Sequence, residues 1–332
     1  MKQRIEARIA GSDAAPPVGT AVTLIRPAQS DEFREALRLS FVPANGDRTR
    51  AMALSETVLA HARAMQHDVS RQWVALRNGR LVTACTYLET PGRLATLMIP
   101  GRFVADAGPS AAGEMLNAAA GVAAQRGNRL IQCLLTLEDA SEVRSVLAAS
   151  GYVMLARLLH MERSIQGAPP EAAPAADGLR WRTFDSTTAP LFREVIHSSY
   201  EGSLDCPKLS SVRSVDDAIE SHRSAGYFKP HRWLLIEVEG QPAACALFNE
   251  TPLRAGLELV YMGVAPLFRG RGLGARVLAR GLALAHREGF SVVDVAVDES
   301  NRPAIDLYCR LGFRAGVLRE AWARILSDHA EG

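Results

Sequence analysis

The sequence lacks the features that would direct it to a metal, a nucleic acid or a membrane. Its five cysteines form no C-x-x-C pair, and its histidines show no metal-ligand spacing, so we expect no metal site. The net charge of +2 gives no basic surface for nucleic acid or an anionic membrane. No segment approaches 18 consecutive apolar residues, so the sequence predicts no membrane-spanning helix.

Residues 1–20 also lack the pattern of a signal peptide. Charges are mixed through their length, and there is no apolar core segment. The absence of an apolar period predicts a disordered tail. Cysteines without a pairing pattern fit a reducing compartment, so we expect a cytoplasmic protein. The length of 332 residues, 48% of them hydrophobic, suits two soluble globular domains.

The chain repeats itself at an offset of about 160 residues. Trp73 and Trp233 each begin an apolar segment, and each is followed by a cysteine twelve residues later. Two further matches keep the same order: Phe33-Arg34-Glu35 with Phe192-Arg193-Glu194, and Ser150-Gly151-Tyr152 with Leu311-Gly312-Phe313. Several matches in one order indicate an internal duplication.

The duplication divides the chain into four segments. After the tail over 1–20, the first domain covers 21–163 and the second covers 179–332. Between them, 164–178 contain three prolines and many alanines without periodicity, which is typical of a linker.

A glycine-rich segment, Arg269-Gly-Arg-Gly-Leu-Gly274, joins an apolar strand pattern to an amphipathic helix pattern. Glycine allows close approach of the backbone to a ligand. The first N–H groups of a helix have no partner within the helix, and the helix dipole adds positive charge there. The segment therefore predicts a binding site for a phosphorylated ligand.

Three kinds of phosphate loop are compatible with a glycine-rich turn. A Walker-type loop ends in Gly-Lys-Ser or Gly-Lys-Thr, which is absent here. The dinucleotide pattern matches formally from Gly270 to Ala275, but the 58 residues after Gly274 are too few for the rest of that fold. The third pattern, R-x-x-G-x-G, resembles the coenzyme A pyrophosphate loop of the GNAT superfamily of N-acetyltransferases.

A second motif favours the GNAT pattern. The segment Asn301-Arg-Pro-Ala-Ile-Asp-Leu-Tyr-Cys-Arg-Leu-Gly-Phe313 resembles the family signature N-x-x-A-x-x-L-Y-x-x-x-G-F position by position. A predicted strand over 291–297 separates the two motifs, as it does in the family. The resemblance implies an α/β fold of the α+β type: two tandem GNAT-like domains, each a mixed, mainly antiparallel sheet flanked by helices.

The resemblance also implies acetyl-CoA as cosubstrate. In the family, loop N–H groups bind the pyrophosphate and the preceding strand pairs with the pantetheine arm. Val264 best matches the amide that meets the thioester oxygen, and Asn301 either hydrogen-bonds the pantetheine or only caps its helix. The cofactor-binding residues predicted in this way are Met262, Gly263, Val264, Arg269, Gly270, Arg271, Gly272, Leu273, Gly274, Ala275 and Asn301.

Two side chains are candidates for proton transfer. Glu258 lies eleven residues before Arg269, a spacing that resembles that of the catalytic glutamate in histone-type members. It is either the base, with a pKa raised by apolar neighbours, or an exposed residue on the polar face of a strand. Tyr308 matches the family tyrosine near the coenzyme sulfur and either protonates the leaving thiolate or only packs.

The first copy lacks the phosphate-binding pattern. In its corresponding segment, Phe103 to Gly113, Pro109 removes an N–H donor and Asp106 adds negative charge. The sequence therefore predicts a degenerate GNAT-like first domain that is kept for structure or for shaping the acceptor site.

The acceptor is the least constrained part of the prediction. Tyr200, Glu201 and Asp205 follow the first helix of the second copy, a segment that lines the acceptor side in the family. They either contact a cationic amine or are ordinary loop residues. We expect direct acetyl transfer from acetyl-CoA to a primary amine of a small molecule. The alternative is a non-catalytic acyl-CoA-binding or sensor protein.

Overall fold

The computed structural model describes residues 24–139, 141–165, 178–209, 213–252 and 254–326, and the predicted tail and most of the predicted linker lie outside them. The strands are β1 (Leu24–Pro27), β2 (Gln72–Arg77), β3 (Arg80–Thr90), β4 (Leu94–Met98), β5 (Leu130–Thr136), β6 (Val153–Ser164), β7 (Leu179–Thr183), β8 (Tyr227–Val238), β9 (Gln241–Glu250), β10 (Gly256–Val264), β11 (Val292–Asp298) and β12 (Arg314–Ile325). The helices are α1 (Phe33–Leu39), α2 (Arg48–Met65), α3 (Phe103–Ala107), α4 (Pro109–Gln125), α5 (Ser141–Ala149), α6 (Ala189–Ser199), α7 (Val215–Ser224), α8 (Leu273–Arg287) and α9 (Arg302–Arg310).

The described strands form one sheet in the order β1-β2-β3-β4-β5-β12-β6-β11-β10-β9-β8-β7. The order is symmetric, because β1–β6 of the first half correspond to β7–β12 of the second half. In each half the first four strands are antiparallel, and the fourth and fifth are parallel. This topology confirms two tandem domains with mixed, mainly antiparallel strands.

The last strand of each half is exchanged, a feature that the sequence analysis does not foresee. Strand β6 ends the first half but pairs with β11 of the second, and β12 pairs with β5 of the first. The two exchanged strands also pair with each other, so the two predicted sheets are continuous. The exchange leaves neither fifth strand as an open edge, where backbone groups would lack partners.

The exchange also mixes the hydrophobic cores. Met161 and Ile165 of the first half belong to the core beneath α8. Trp322 and Leu326 of the second half belong to the core beneath α4. Burial of a large apolar side chain contributes roughly 1.5–3 kcal/mol. The two halves therefore stabilise each other through their cores as well as through the strand ladder.

Helices cover both faces of the sheet. In the first half, α3, α4 and α5 pack on one face and α1 and α2 on the other. In the second half, α8 and α9 cover one face, and α6 and α7 the opposite one. Within the described ranges, no helix is both long and apolar enough to cross a membrane.

One glycine sets how closely α8 approaches β9. Gly281 lies in the buried stripe of α8, and a Cβ placed there would lie 2.2 Å from ring atoms of Phe248. The Phe248 ring is itself fully buried. Because such an approach lies far inside van der Waals contact, only glycine fits without moving the ring or the helix.

Gly281→Ala is therefore expected to lower the free energy of unfolding by about 1–3 kcal/mol, since overpacking outweighs the gain in helix propensity. The matched control is Gly121→Ala in α4, where an added Cβ meets no atom within 4 Å. That change should raise stability by roughly 0.5–1 kcal/mol. Urea denaturation of the wild type and the two variants measures both changes in the free energy of unfolding. Equal effects at the two sites would contradict this packing account.

Candidate active site

A cleft of about 460 Å³ lies where β10, the start of α8, the start of α9 and the segment after α6 meet. Its volume falls in the range of small-molecule and cofactor sites. It contains ten of the eleven predicted cofactor-binding residues: Met262, Gly263, Val264, Arg269, Gly270, Gly272, Leu273, Gly274, Ala275 and Asn301. It also contains residues that the sequence analysis did not select: Ser199, Gly202, Ser203, Leu204, Tyr261, Phe268, Pro303, Ala304, Leu307 and Arg310.

The cleft exists because two neighbouring parallel strands separate. The pairing of β10 with β11 runs from Gly256–Val292 to Leu259–Val295 and stops there. At that point the register of β10 against β9 shifts between Leu259 and Tyr261, which marks a β-bulge. Beyond the bulge, β10 keeps its ladder with β9 while the side toward β11 opens. A ligand arm can therefore pair with the backbone of β10 there.

The glycine loop has the backbone of an anion site. Gly270 and Gly272 adopt left-handed φ values of 76° and 75°, which favour glycine. Gly272 is the N-cap of α8 and offers no side-chain cap to the first turn. Leu273, Gly274 and Ala275 of that turn line the cleft. Their N–H groups and the helix dipole suit a phosphate.

The two arginines of the loop have different surroundings. Arg269 lines the cleft, and its guanidinium donates to the carbonyl oxygens of Val264 at 3.1 Å and Ser199 at 2.9 Å. It therefore braces the loop against β10 and α6. Arg271 is the one predicted cofactor residue outside the cleft lining, and its guanidinium lies 5.3 Å from the centre of the Phe268 ring.

Asn301 both caps α9 and lines the cleft. Its side-chain oxygen accepts the N–H of Ala304 at 3.3 Å, which caps α9. The same residue lines the cleft. Pro303 lies in the first turn of α9, where a missing N–H costs nothing. The motif thus fixes the start of α9 at the cleft wall.

The three predicted acceptor residues separate in the structure. Tyr200 and Asp205 line the cleft, whereas Glu201 is exposed and does not. Asp205 also has a structural role, because its carboxylate accepts the N–H of Asp298 at 2.9 Å. Asp298 in turn accepts the N–H of Cys206 at 3.2 Å. This reciprocal pair fastens the segment after α6 to the end of β11.

Burial shapes the chemistry of this segment. Burial raises the pKa of Asp205, and the nearby carboxylate of Asp298 raises it further, against the opposing hydrogen bond from the Asp298 N–H. Burial also raises the pKa of the Cys206 thiol to about 12, so this thiol is not a nucleophile at neutral pH.

Tyr261 is a cleft residue that the sequence analysis missed. Its hydroxyl lies 2.6 Å from Oγ of Ser199, and burial raises its pKa. Its ring centre lies 5.1 Å from that of His222, whose pKa burial lowers to about 3. His222 is therefore a neutral packing partner. In a regular strand, Tyr261 and Glu258 would lie on opposite faces of the sheet, because they are three residues apart. The bulge instead turns Tyr261 toward the face covered by α6.

Glu258 lies beside the cleft but outside its lining. It is half-buried on β10, in register with Asn249 of β9 and Asp294 of β11. Burial raises the pKa of Glu258, and Asp294 raises it further while Arg254 opposes this. Within the described part of the chain, its carboxyl group has no hydrogen-bond or ion-pair partner.

Tyr308 also lies behind the cleft wall. Only 5% of it is exposed, and its ring centre lies 5.5 Å from that of Phe313 in the core. Its helix neighbour Leu307 lines the cleft. Burial raises the pKa of Tyr308, and the negative charge of Asp205 adds to the effect. The phenol is therefore close to Asp205, which lines the cleft.

The first half has a different backbone at the corresponding place. The short helix α3 ends at Ala107, and Gly108 alone separates it from α4, which begins with Pro109. Phe103 is buried in the core there. Asp106 forms an ion pair with Arg102 at 3.2 Å. The loss of coenzyme A binding by this half stays a prediction.

Comparisons with known proteins agree with this geometry. Residues 199–313 match the acetyltransferase (GNAT) family. The chain is 30% identical over 177 residues to a mycothiol acetyltransferase of Thermomonospora curvata, covering 53% of this chain and 57% of that protein. It is 32% identical over 178 residues to the mycothiol acetyltransferase of Kineococcus radiotolerans, covering 53% and 56%. The matched region spans just over half the length of these relatives.

Solved structures share the fold over most of the chain. A GCN5-related N-acetyltransferase from Sphaerobacter thermophilus aligns with a TM-score of 0.61 at 17% identity, covering 91% of this chain and 95% of that one. A tandem GNAT protein of the clavulanic acid pathway aligns with a TM-score of 0.51 at 14% identity, covering 93% and 99%. The chain is thus a tandem GNAT-fold protein. Over residues 199–313 it is similar to the GNAT acetyltransferase family.

Gly274→Val is expected to weaken coenzyme A binding at least tenfold. A Cβ at Gly274 already lies 3.4 Å from Leu307 and 3.6 Å from Val264, so the valine methyl groups must enter the cleft. The matched control, Gly113→Val in α4, adds the same side chain to a helix of the first half. Calorimetric titration with coenzyme A measures the affinities. Wild-type affinity in the Gly274 variant would overturn the assignment of the loop.

Proposed function

We propose that this protein is an N-acetyltransferase that transfers the acetyl group of acetyl-CoA directly to a primary amine of a small molecule. The single observation that carries the proposal is the meeting of two structures in one cleft: the separation of β10 from β11, and the glycine loop at the start of α8. The first can admit an extended pantetheine arm. The second offers N–H groups to a pyrophosphate.

Three parts of the cofactor would have counterparts in the cleft: the pyrophosphate, the pantetheine arm and the thioester. The loop from Gly270 to Ala275 would hold the pyrophosphate, with Arg269 bracing the loop. The backbone of Met262, Gly263 and Val264 would pair with the pantetheine arm. A backbone N–H of this strand, assigned to Val264, would polarise the thioester carbonyl and stabilise the oxyanion of the tetrahedral intermediate. Coenzyme A thus acts as the carrier of the transferred group.

The reaction is an acyl transfer without a covalent enzyme intermediate. The amine nitrogen attacks the thioester carbon, and collapse of the tetrahedral intermediate breaks the carbon–sulfur bond. The nitrogen loses a proton, and the coenzyme thiolate gains one. Of the cysteines, Cys309 is exposed and lies outside the cleft lining, and burial raises the pKa of the Cys206 thiol. Neither position supports an acyl-thiol intermediate.

Glu258 is proposed to accept the amine proton, directly or through a water. The motive is its place on β10 beside the bulge, together with its raised pKa. A carboxylate with a raised pKa is a stronger base.

Tyr308 is proposed to protonate the leaving thiolate. It lies on α9 directly behind the cleft wall, and its raised pKa keeps the phenol protonated across the physiological range. Tyr200 and Asp205 are proposed to face the acceptor, and a role for Glu201 would require movement of its exposed side chain.

The acceptor is proposed only as a class. Two of the relatives are named mycothiol acetyltransferases, and they match this chain over about half of their length. We propose a small-molecule amine, with neither a nucleic acid nor a membrane as partner, in a reducing compartment such as the cytoplasm. Thiol release by purified protein with a panel of amines tests the activity. Tight coenzyme A binding without thiol release for any amine would favour the alternative, a non-catalytic acyl-CoA-binding or sensor protein.

Tyr308→Phe should lower turnover by about 10- to 1,000-fold, because the variant cannot donate a proton to the thiolate. Cofactor affinity should change little, since the ring and its packing on Phe313 remain. Steady-state kinetics and a coenzyme A titration measure the two quantities. Unchanged turnover would leave Tyr308 with a packing role alone.

Glu258→Gln should abolish the acidic limb of the pH–rate profile and lower turnover by about 100- to 10,000-fold. The pKa of Glu258 is higher in the folded than in the unfolded protein, so ionisation destabilises the fold as pH rises through the interval between them. The glutamine variant should therefore gain thermal stability relative to wild type at neutral pH, and less at low pH. If the variant keeps the acidic limb of the pH–rate profile and the wild-type rate, Glu258 is not the base.

A further inference from the structure

Three carboxylates occupy consecutive register positions across the middle of the sheet. Glu258 of β10 pairs with Asp294 of β11, and Asp294 pairs with Glu162 of β6. Residues paired across neighbouring strands lie on one face with their Cβ atoms about 5 Å apart. The neighbouring residues Leu257 and Val293 belong to the core beneath α8, so the carboxylates lie on the opposite face. The third of them comes from the first half of the chain.

Arg254 connects two of these carboxylates. It lies in the turn between β9 and β10, and its guanidinium forms a hydrogen-bonded ion pair with the carboxylate of Asp294. A second guanidinium nitrogen lies 3.9 Å from the carboxylate of Glu162. Asp294 is the more buried partner, with 20% of its side chain exposed, and the pair holds its carboxyl group next to Glu258. Burial raises the pKa of Asp294, and Arg254 opposes this effect. The arginine thereby links both halves of the chain.

Other ionisable groups on the neighbouring elements are few. On β9 the register partner of Glu258 is the neutral Asn249, whose amide donates to the backbone carbonyl of His222 on α7. His222 itself is neutral, because burial lowers its pKa to about 3. On β6 and β12, His160 and Arg314 lie one and two strands beyond β11. Burial lowers the pKa of His160, so it also carries no charge at neutral pH.

Two opposite charges therefore dominate the surroundings of Glu258. Asp294 opposes its ionisation, and Arg254 favours it. A like charge near a carboxyl group makes the proton harder to remove, and an opposite charge makes it easier. Since the Glu258 carboxyl has no hydrogen-bond partner among the described residues, these two neighbours and burial determine its protonation.

We propose that Asp294, fixed by Arg254 and backed by Glu162 of the first half, is a positioning residue that sets the pH range in which Glu258 takes up the amine proton. The proposal rests on the assignment of Glu258 as the base. Asp294 contacts neither substrate nor cofactor and acts through Glu258 alone. Because Glu162 acts on Asp294, the first half of the chain has an indirect effect on the chemistry of the second.

The test compares three variants by the position of the acidic limb of kcat/KM. Asp294→Asn removes the opposing charge, so the limb should move to lower pH by about 0.5–1 unit, with the plateau rate retained. Arg254→Gln removes the favourable charge, so the limb should move to higher pH. Glu162→Gln should produce a smaller shift in the direction of Asp294→Asn. The matched control is Asp306→Asn on the exposed side of α9, which should leave the limb in place.

A merely structural role would lower the plateau or the melting temperature of both Asp294→Asn and Arg254→Gln without shifting the limb in opposite directions. An unmoved limb in both variants, or shifts of the same sign, would overturn the proposal. Carbon-13 NMR of the glutamate side-chain carboxyl groups, assigned with Glu258→Gln, follows the titration of Glu258 without requiring activity. A shifted titration in an inactive protein would reject the proposed function but keep the effect of Asp294 on the ionisation of Glu258. An unshifted titration in an active enzyme would reject the role of Asp294 and keep the proposed function.

Discussion

The pairing of β11 with the exchanged strand β6 is the interaction on which the candidate site depends. Past Leu259, β10 leaves β11, and the end of β11 would then have no ladder partner on that side. Strand β6 supplies one on the other side, from His160 opposite Ala296 to Leu158 opposite Asp298. A cleft between parallel strands removes backbone hydrogen bonds, and buried backbone groups need partners. The first half of the chain therefore helps to keep the cleft of the second half open.

This dependence explains how a half without a phosphate loop can be retained. What the second half needs from the first is a strand and its core residues, and neither requires a glycine loop. Accordingly Trp73, the counterpart of Trp233, is buried in the first half, where Pro109 and Asp106 occupy the region of the lost loop. The position of Glu162 adds a second reason, because it brings a charge of the first half to the row that contains Glu258.

The sequence was most informative where function requires a local backbone shape. The apolar strand and the amphipathic helix that the sequence predicts on the two sides of Arg269–Gly274 are present as β10 and α8, because glycines and apolar periods are local signals. The strand exchange could not be predicted, since alternation in β6 and β12 is equally compatible with either partner. The bulge that turns Tyr261 toward Ser199, and the bracing role of Arg269, depend on contacts distant in sequence.

The two proton-transfer candidates have one property in common: burial raises both pKa values, with opposite consequences. For Glu258 the shift makes the carboxylate a stronger base. For Tyr308 it makes the phenol a weaker acid than the thiol that it would form. Complete proton transfer before the carbon–sulfur bond breaks is therefore unfavourable. As a catalytic group, the phenol would be better suited to donate a hydrogen bond that strengthens as negative charge develops on sulfur, and the proton would move late in the reaction.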